Sequence, residues 1–337
     1  MDDGFDCTLK KIFDANLHPM KRTPQVVVVG SFVQDLTFLC ASFPAPGQTT
    51  VGTFVTGPGG KGSNQAVAAG RTGVSTLFIG AVGRDAFATE AKKFYLTEGI
   101  GALFIAKPKH ATATAGILVN DAGQNEIIVA LGASAQIKPA DIDAKMIQGA
   151  KVVVCQHEAT LPINAHVFRL ARRAGVTTVL NPAPMRPDFN PAILTHTDVL
   201  IPNETEFVAL ANQLKLGGGK TITEVGLAKL SPVKLHQLCR AFKVSTVIVT
   251  LGSKGCFISQ ASEFTKLPAC AGIKVVDTTG AGDAFCGGLA AGLVKFSGDI
   301  VASSKFANVV AALSVTKRGT APSMPTASEI IRFQRRR

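Results

Sequence analysis

Tryptophan is absent from the 337 residues and tyrosine occurs once, at Tyr95. A chain so poor in these side chains offers no aromatic platform of the kind on which single-stranded bases stack. Cys-x-x-Cys pairs are also missing. Cys7, Cys40, Cys155, Cys239, Cys256, Cys270 and Cys286 are odd in number and scattered, and the six histidines add no metal-ligand spacing. That argues against a structural zinc site and predicts reduced thiols in an intracellular compartment. No apolar run reaches membrane-spanning length and the N-terminus has no signal-peptide pattern, so no membrane partner is expected. Acidic residues are few, 23 against 35 basic ones, for a formal charge of +12. The basic residues are dispersed, with small clusters only at Lys21-Arg22, Arg172-Arg173 and the tail Arg332 to Arg337. The charge therefore suits anionic small-molecule substrates better than nucleic acid.

What is present is a core. Apolar residues make up 46% of the chain and charged ones 17%, enough for one large α/β domain or two ordinary ones. Gln25-Val26-Val27-Val28-Val29-Gly30 is a β-branched run ended by glycine, the pattern of a strand buried on both faces of a parallel sheet. Thr76 to Val82 reads as another buried strand, and Ala86 to Gly99 as a helix. From residue 151 strand and helix alternate: Val152-Val153-Val154, a helix to Arg173, then Thr177 to Leu180. Such alternation implies parallel strands joined by crossover helices. Val199-Leu200-Ile201 and Ser245 to Leu251 continue it, and Leu216 to Lys220, with three glycines, reads as a surface loop. Thr49 to Thr56, Thr112 to Asn120 and Asn125 to Leu131 are β-rich runs expected to form a small sheet outside the main body. Its apolar surface needs cover, which dimerisation would supply.

The most informative run is Val275-Val276-Asp277-Thr278-Thr279-Gly280-Ala281-Gly282-Asp283-Ala284-Phe285. Phe285, Leu289 and Leu293 recur at helical spacing, which puts Asp283 in the first turn of a helix. The free N–H groups of that turn and the helix dipole favour an anion such as phosphate. A carboxylate beside such a site repels the anion, unless it takes a proton from a hydroxyl that then attacks the phosphorus. The alternative is that Asp283 only favours the helix N-terminus.

A second glycine-rich run, Gly57-Pro58-Gly59-Gly60-Lys61-Gly62-Ser63-Asn64-Gln65, opens a helix through Ala66, Ala69 and Arg71. Gly57, Gly59 and Gly62 match G-x-G-x-x-G, but far beyond the first strand and with no acid at the expected later strand end, so a dinucleotide fold is excluded. Gly62 after Lys61 also excludes a Walker A loop.

Gly59 to Arg71 and Asp277 to Asp283 resemble the N- and C-terminal signatures of the pfkB-type carbohydrate kinases, the ribokinase-like family, and the resemblance spans about residues 24 to 333. It implies an α/β fold, a three-layer αβα sandwich with a central mostly parallel sheet and a small β-sheet lid. Residues 1–23 would be an N-terminal extension and 24–333 the kinase domain, with lid strands within 35–57 and 111–131. It also implies ATP-dependent phosphorylation of a sugar hydroxyl, most simply the primary 5-hydroxyl of D-ribose, with magnesium and a potassium activator. 2-Deoxyribose, fructose and adenosine remain alternative acceptors, and a sugar-binding regulator without catalysis is a further one.

Carried over residue by residue, Asp35, Gly60, Lys61, Asn64, Glu158 and Asp283 would bind the sugar. Asp283 would be the base, with Gly280, Ala281 and Gly282 lending backbone amides to the transferred phosphoryl group. Asn203, Thr250, Gly252, Ser253, Lys254, Gly255, Gly282 and Asn308 would meet ATP. Glu206 would act on magnesium indirectly, as part of an N-x-x-E element that could equally be ordinary helix capping. Asp277, Thr279, Ser314, Lys317, Gly319 and Ser323 would hold potassium, several through carbonyls. Asn181-Pro182-Ala183-Pro184 matches a family loop. Val33 departs from the pattern, since many bacterial members carry Asn there. The resemblance also implies a homodimer formed through the lid. The expected compartment is the cytoplasm, with the nucleus or a peroxisome-type organelle as alternatives. Lys11-Ile12 followed by His18 resembles an N-terminal peroxisomal signal with Pro19 out of pattern, and the C-terminus is not the Ser-Lys-Leu address.

Overall fold

The computed structural model describes residues 23–335. The expected N-terminal extension, apart from Thr23, and its import-like pattern lie outside them.

The polyvaline run forms β1 (Val26–Val29) at the centre of the main sheet. Its side chains alternate between two cores: Val26 and Val28 enter one, Val27 and Val29 the other, all fully buried. A strand sandwiched in this way has no use for polar positions, which is why the sequence shows an unbroken apolar run. β1 pairs in parallel with β4 (Thr76–Val82) on one side and β8 (Val152–Cys155) on the other. The nine strands run in the order β13-β12-β11-β10-β9-β8-β1-β4-β5. Here β5 is Gly101–Ala106, β9 Thr177–Leu180, β10 Val199–Leu200 and β11 Thr246–Thr250. Only β12 (Cys256–Ser259) runs against the rest, antiparallel to β11 and to the edge strand β13 (Phe264–Leu267). Successive strands step to β4 and β5 on one side of β1 and to β8 and beyond on the other. The crevice between the C-terminal ends of β1 and β8 is thus a topological switch point, where such sheets bind ligands.

Helices cover both faces, as the sandwich expectation requires. One layer contains α1 (Lys61–Arg71), α2 (Ala86–Glu98), α7 (Ala281–Lys295), α8 (Ile300–Ser314) and α9 (Ala327–Gln334). The other contains α3 (Leu161–Arg173), α4 (Glu204–Gln213), α5 (Glu224–Ala228) and α6 (Pro232–Ala241). α2 starts where Asp85 accepts from the Ala88 amide and stops at Gly99, φ 65°, the terminus its sequence suggested. Among the described helices, none is long and apolar enough to cross a membrane.

The small sheet has the order β3-β2-β6-β7. The strand expected over Thr49 to Thr56 is instead β3, Thr53–Gly59, and it runs into the glycine motif. Pairing uses backbone only, and Pro58 is tolerated because β3 is an edge. Its partner β2 (Val33–Cys40) starts within a few residues of the end of β1. β6 (Thr114–Asn120) and β7 (Asn125–Ala130) form the expected hairpin. Val33 is buried against Ala113 and Ala115 at the root of this sheet. The strand β5, the β12–β13 hairpin and the helix α8 carry no clear periodicity in sequence and emerge only here.

Candidate active site

Five charged groups from distant parts of the chain converge over the β1–β8 crevice. Asp283 sits in the first turn of α7, 6% exposed, behind Gly280, whose φ of 77° is one that a residue with a side chain seldom adopts. Asp283 Oδ2 accepts from Asn64 Nδ2 and Oδ1 from Gln65 Nε2, both at 2.9 Å. α1 can deliver those amides because it crosses α7 at Gly287: a Cβ there would lie 2.3 Å from the Gln65 carbonyl oxygen.

Gln65 is itself held in place. Its Oε1 accepts from Gln156 Nε2 at 2.6 Å, and its Nε2 also donates to Asn181 Oδ1 at 3.1 Å. Asn181 then donates to the Ile201 carbonyl at 2.9 Å. A buried amide chain therefore runs from the ends of β8, β9 and β10 to the carboxylate of Asp283. Such chains stiffen the group they terminate on. Within this cluster, Asn64 Oδ1 and Gln156 Oε1 are buried acceptors without a protein partner. A lone buried acceptor is costly, and a ligand hydroxyl at Asn64 Oδ1 would remove that cost.

Glu158 follows β8 and accepts from Ser31 Oγ and, at 2.8 Å, from the Lys61 amide, tying the end of β1 to the start of α1. Asp35, on β2, lies against Gly59 and is met by the Thr320 hydroxyl at 3.3 Å. Burial pushes the Asp35 carboxyl up to about 7; Thr320 opposes this, while Glu158 and Asp283 push the same way. The Lys61 ammonium is held above its usual range, first by Asp283, against burial, with Glu158 and Glu206 adding to it. Burial raises Glu206 too, although its bond from the Asn203 amide and the charge of Lys61 oppose the shift. One cation among four carboxylates leaves a site ready for hydroxyl groups and for metal-bound phosphate.

The N-x-x-E element is a capping box: Asn203 Oδ1 accepts from the Glu206 amide at 2.8 Å, and Glu206 Oε2 accepts from the Asn203 amide at 2.9 Å. Capping and a place in the site are not alternatives, since the cap aims Glu206 at Lys61 and Asp283. Thr250 ends β11 and pairs with Asn203, and the Gly252–Lys254 turn and Gly255 follow it along the same edge. Asn308, on α8, donates to the Pro268 carbonyl at 3.2 Å. The Thr250 hydroxyl bonds to the Pro202 carbonyl, and neither it nor Asn308 reaches the acid cluster, so the site has a hydroxyl end and a separate run along the sheet edge.

For the cation set, Asp277 accepts from the Thr279 amide at 2.9 Å and the Gly319 amide at 3.0 Å, which locks two loops together. Lys317 pairs with Glu329 at 2.6 Å, and the hydroxyls of Ser314 and Ser323 bond to the Ala311 and Thr320 carbonyls. With these side chains engaged, backbone carbonyls are what the loops offer to a cation.

Sequence reasoning passed over Ser31, Gln65, Gln156 and Thr320. The first three are polar residues at the end of a buried strand or the start of a helix, a usable signal; Thr320 has none.

A carboxylate held by amides at a helix N-terminus, behind a glycine turn and beneath a small sheet, defines a phosphotransferase acting on a hydroxyl. The chain belongs to the pfkB family of carbohydrate kinases, whose model matches residues 23–327. It is 36% identical over 307 residues to the ribokinase of Mus musculus, covering 89% of this chain and 91% of that protein. It is also 32% identical over 312 residues to the deoxyribokinase of Salmonella typhi, covering 89% of this chain and 95% of that one. Among solved structures, the ribokinase of Arabidopsis thaliana complexed with ribose and ATP superposes with TM-score 0.80 at 29% identity, over 92% of this chain and 98% of that one. The ribokinase of Giardia lamblia gives TM-score 0.83 at 29% identity, over 94% and 99%.

Proposed function

We propose that this protein transfers the γ-phosphoryl group of ATP to the 5-hydroxyl of D-ribose. The observation that carries the reading is the Asp283 carboxylate, held by Asn64 and Gln65 at the mouth of the Gly280 turn. Asp35, Gly60, Lys61, Asn64 and Glu158 grip the sugar. Asp283 takes the hydroxyl proton as the oxygen bonds to phosphorus, and ADP leaves. The amides of Gly280 to Asp283 stabilise charge on the phosphoryl oxygens. Asn203, Thr250, the 252–255 turn and Asn308 receive the nucleotide. The ribose–ATP complex above and an ADP-bound ribokinase from Cryptococcus neoformans support the two substrates.

Magnesium, when bound, neutralises charge between the phosphates. No cluster of three or more His, Cys, Asp or Glu that could hold a metal occurs among the described residues. That fits an ion carried mainly by phosphate and water, with Glu206 in its outer shell. Potassium would rest on carbonyls of the loops that Asp277 and Gly319 join. The decisive assay is ADP release with D-ribose, 2-deoxyribose, fructose and adenosine, each with and without potassium. Ribose is expected to be the best acceptor; turnover on none would refute the reading. 2-Deoxyribose is the second reading, favoured by Val33, which offers no side-chain hydrogen bond.

A pH dependence follows from Asp35. Its carboxyl ionises near pH 7 in the free protein, and the ionised form accepts sugar hydroxyls. kcat/KM for ribose should therefore fall as pH drops below about 7, approaching tenfold per pH unit, and level off above it. Because the folded value is raised, ionising Asp35 costs stability: its contribution is complete below the unfolded carboxyl range and lost as pH rises through 7. The kcat/KM profile of Asp35→Asn should lose that limb.

The lid face turned away from Asp35 exposes Phe38, Phe54 and Ile128. A second copy is its occupant in our reading, and we place the protein in the cytoplasm, where its thiols stay reduced. No disulfide forms among the described cysteines. Ile128, 77% exposed, is the sharpest probe: Ile128→Glu should convert dimer to monomer in sedimentation at micromolar concentration. A monomeric unaltered chain would refute the dimer.

A further inference from the structure

The loop after α8 crosses back over the site, and its Thr320 contacts both ends of the chemistry. The Thr320 hydroxyl has one hydrogen and two acceptors, Asp35 Oδ2 at 3.3 Å and the Pro58 carbonyl at 3.2 Å. Both acceptors belong to the lid, on β2 and β3. On the phosphate side, a Cβ built on Gly280 would lie 3.4 Å from Thr320 Cα. The loop is not free to drift. The Gly319 amide donates to Asp277, and the Ser323 amide and hydroxyl donate to the Thr320 carbonyl at 3.1 and 2.7 Å. Arg71, paired with Glu98, holds the Pro322 and Met324 carbonyls at 3.0 and 2.6 Å. Thr320 is thus a fixed donor aimed at a carboxylate whose other close neighbour, Gly59, supplies no side chain.

We propose that Thr320 is a positioning residue of the acceptor site: its hydroxyl fixes the Asp35 carboxylate in the accepting orientation and pins the root of the lid to the loop beside the Gly280 turn. The proposal deepens the sugar-kinase reading and rests on it. Every charged group around Asp35 is accounted for. Glu158 after β8 and Asp283 on α7 disfavour its ionised form, Lys61 on α1 answers mainly to Asp283, and the Thr320 hydroxyl favours the ionised form. Without that hydroxyl, Asp35 keeps its burial and its two acidic neighbours and loses a donor. It should then hold its proton to higher pH, where it cannot accept a hydroxyl.

The test uses Thr320→Val, which keeps the shape, and Thr320→Ser, which keeps the donor. The Asp35 side-chain carboxyl is followed by 13C NMR in the free protein, assigned with Asp35→Asn, beside steady-state kinetics with ribose at several pH values. In Thr320→Val the carboxyl should titrate at higher pH than in the unaltered chain. KM for ribose at pH 7 should rise about tenfold, the loss of one hydrogen bond to a charged group, with kcat within about twofold. The KM defect should shrink toward pH 9, and Thr320→Ser should restore both readouts. A merely structural role would raise KM equally at all pH values or lower kcat, and either result overturns the proposal, as does an unmoved titration. If the titration moves while the unaltered chain phosphorylates no sugar, the link from Thr320 to Asp35 stands and the sugar reading fails.

Discussion

Asp283→Asn is expected to lower kcat for ribose by about 10²–10⁴-fold, the usual worth of a positioned base. The substitution keeps the volume, so it leaves the packing of α7 against α1 and α8 intact. It removes the one group in the cleft that both sits at the anion turn and can take a proton. It also misfits its neighbours. Asn64 Nδ2 and Gln65 Nε2 both donate to the Asp283 carboxylate, and an Asn amide in its place presents one NH2 to one of these donors. Lys61, held above its usual range first of all by Asp283, loses its main counter-charge, so KM for ribose should change as well. An ADP-release assay at saturating ribose and ATP reads the effect. A kcat within about threefold of the unaltered chain would leave Asp283 as a helix-terminal residue and no more.

Gly59→Ala should raise KM for ribose by about 10- to 100-fold, as one or two hydrogen bonds to a charged group are lost. The added methyl would lie 2.3–2.6 Å from the carboxyl atoms of Asp35. What must yield there is the free end of a side chain, since Gly59 has no φ that a larger residue would resist. The contrast is Gly62, where a Cβ would meet the backbone of Gly30 and Ser31 at 2.7–2.8 Å and folding itself would suffer. In Gly59→Ala, Asp35 swings away from both sugar and Thr320 while the sheet pairing of β2 and β3 remains. Thermal unfolding should move little and kcat at saturating sugar should hold. An unchanged KM would remove Asp35 from the sugar site.

Much of this was legible without coordinates, for definite reasons. A strand buried on both faces has to be apolar throughout, so Val26–Val29 and Val152–Cys155 declare themselves. A glycine turn followed by helical periodicity places Asp283 in a first turn, and that is where it lies. The lid was harder to read. β2 begins only a few residues after β1, and β3 contains Gly57, Pro58 and Gly59, residues that argue against a strand. Their pairing is settled by the partner backbone and not by their own preferences.

The sequence by itself determined the layers of the sandwich, the two glycine motifs and the family, because buried strands and tight turns restrict which residues can stand there. Tertiary structure alone decided who touches Asp283 and Asp35. The donors are Asn64 and Gln65, some 219 positions away from Asp283, and Thr320, 285 positions away from Asp35. Nothing local distinguishes a glutamine that anchors a base from one that faces water, or a threonine over a carboxylate from one in any loop. Those contacts exist because α1 crosses α7 at Gly287 and the loop after α8 returns over the lid, and periodicity carries no information about which surfaces meet.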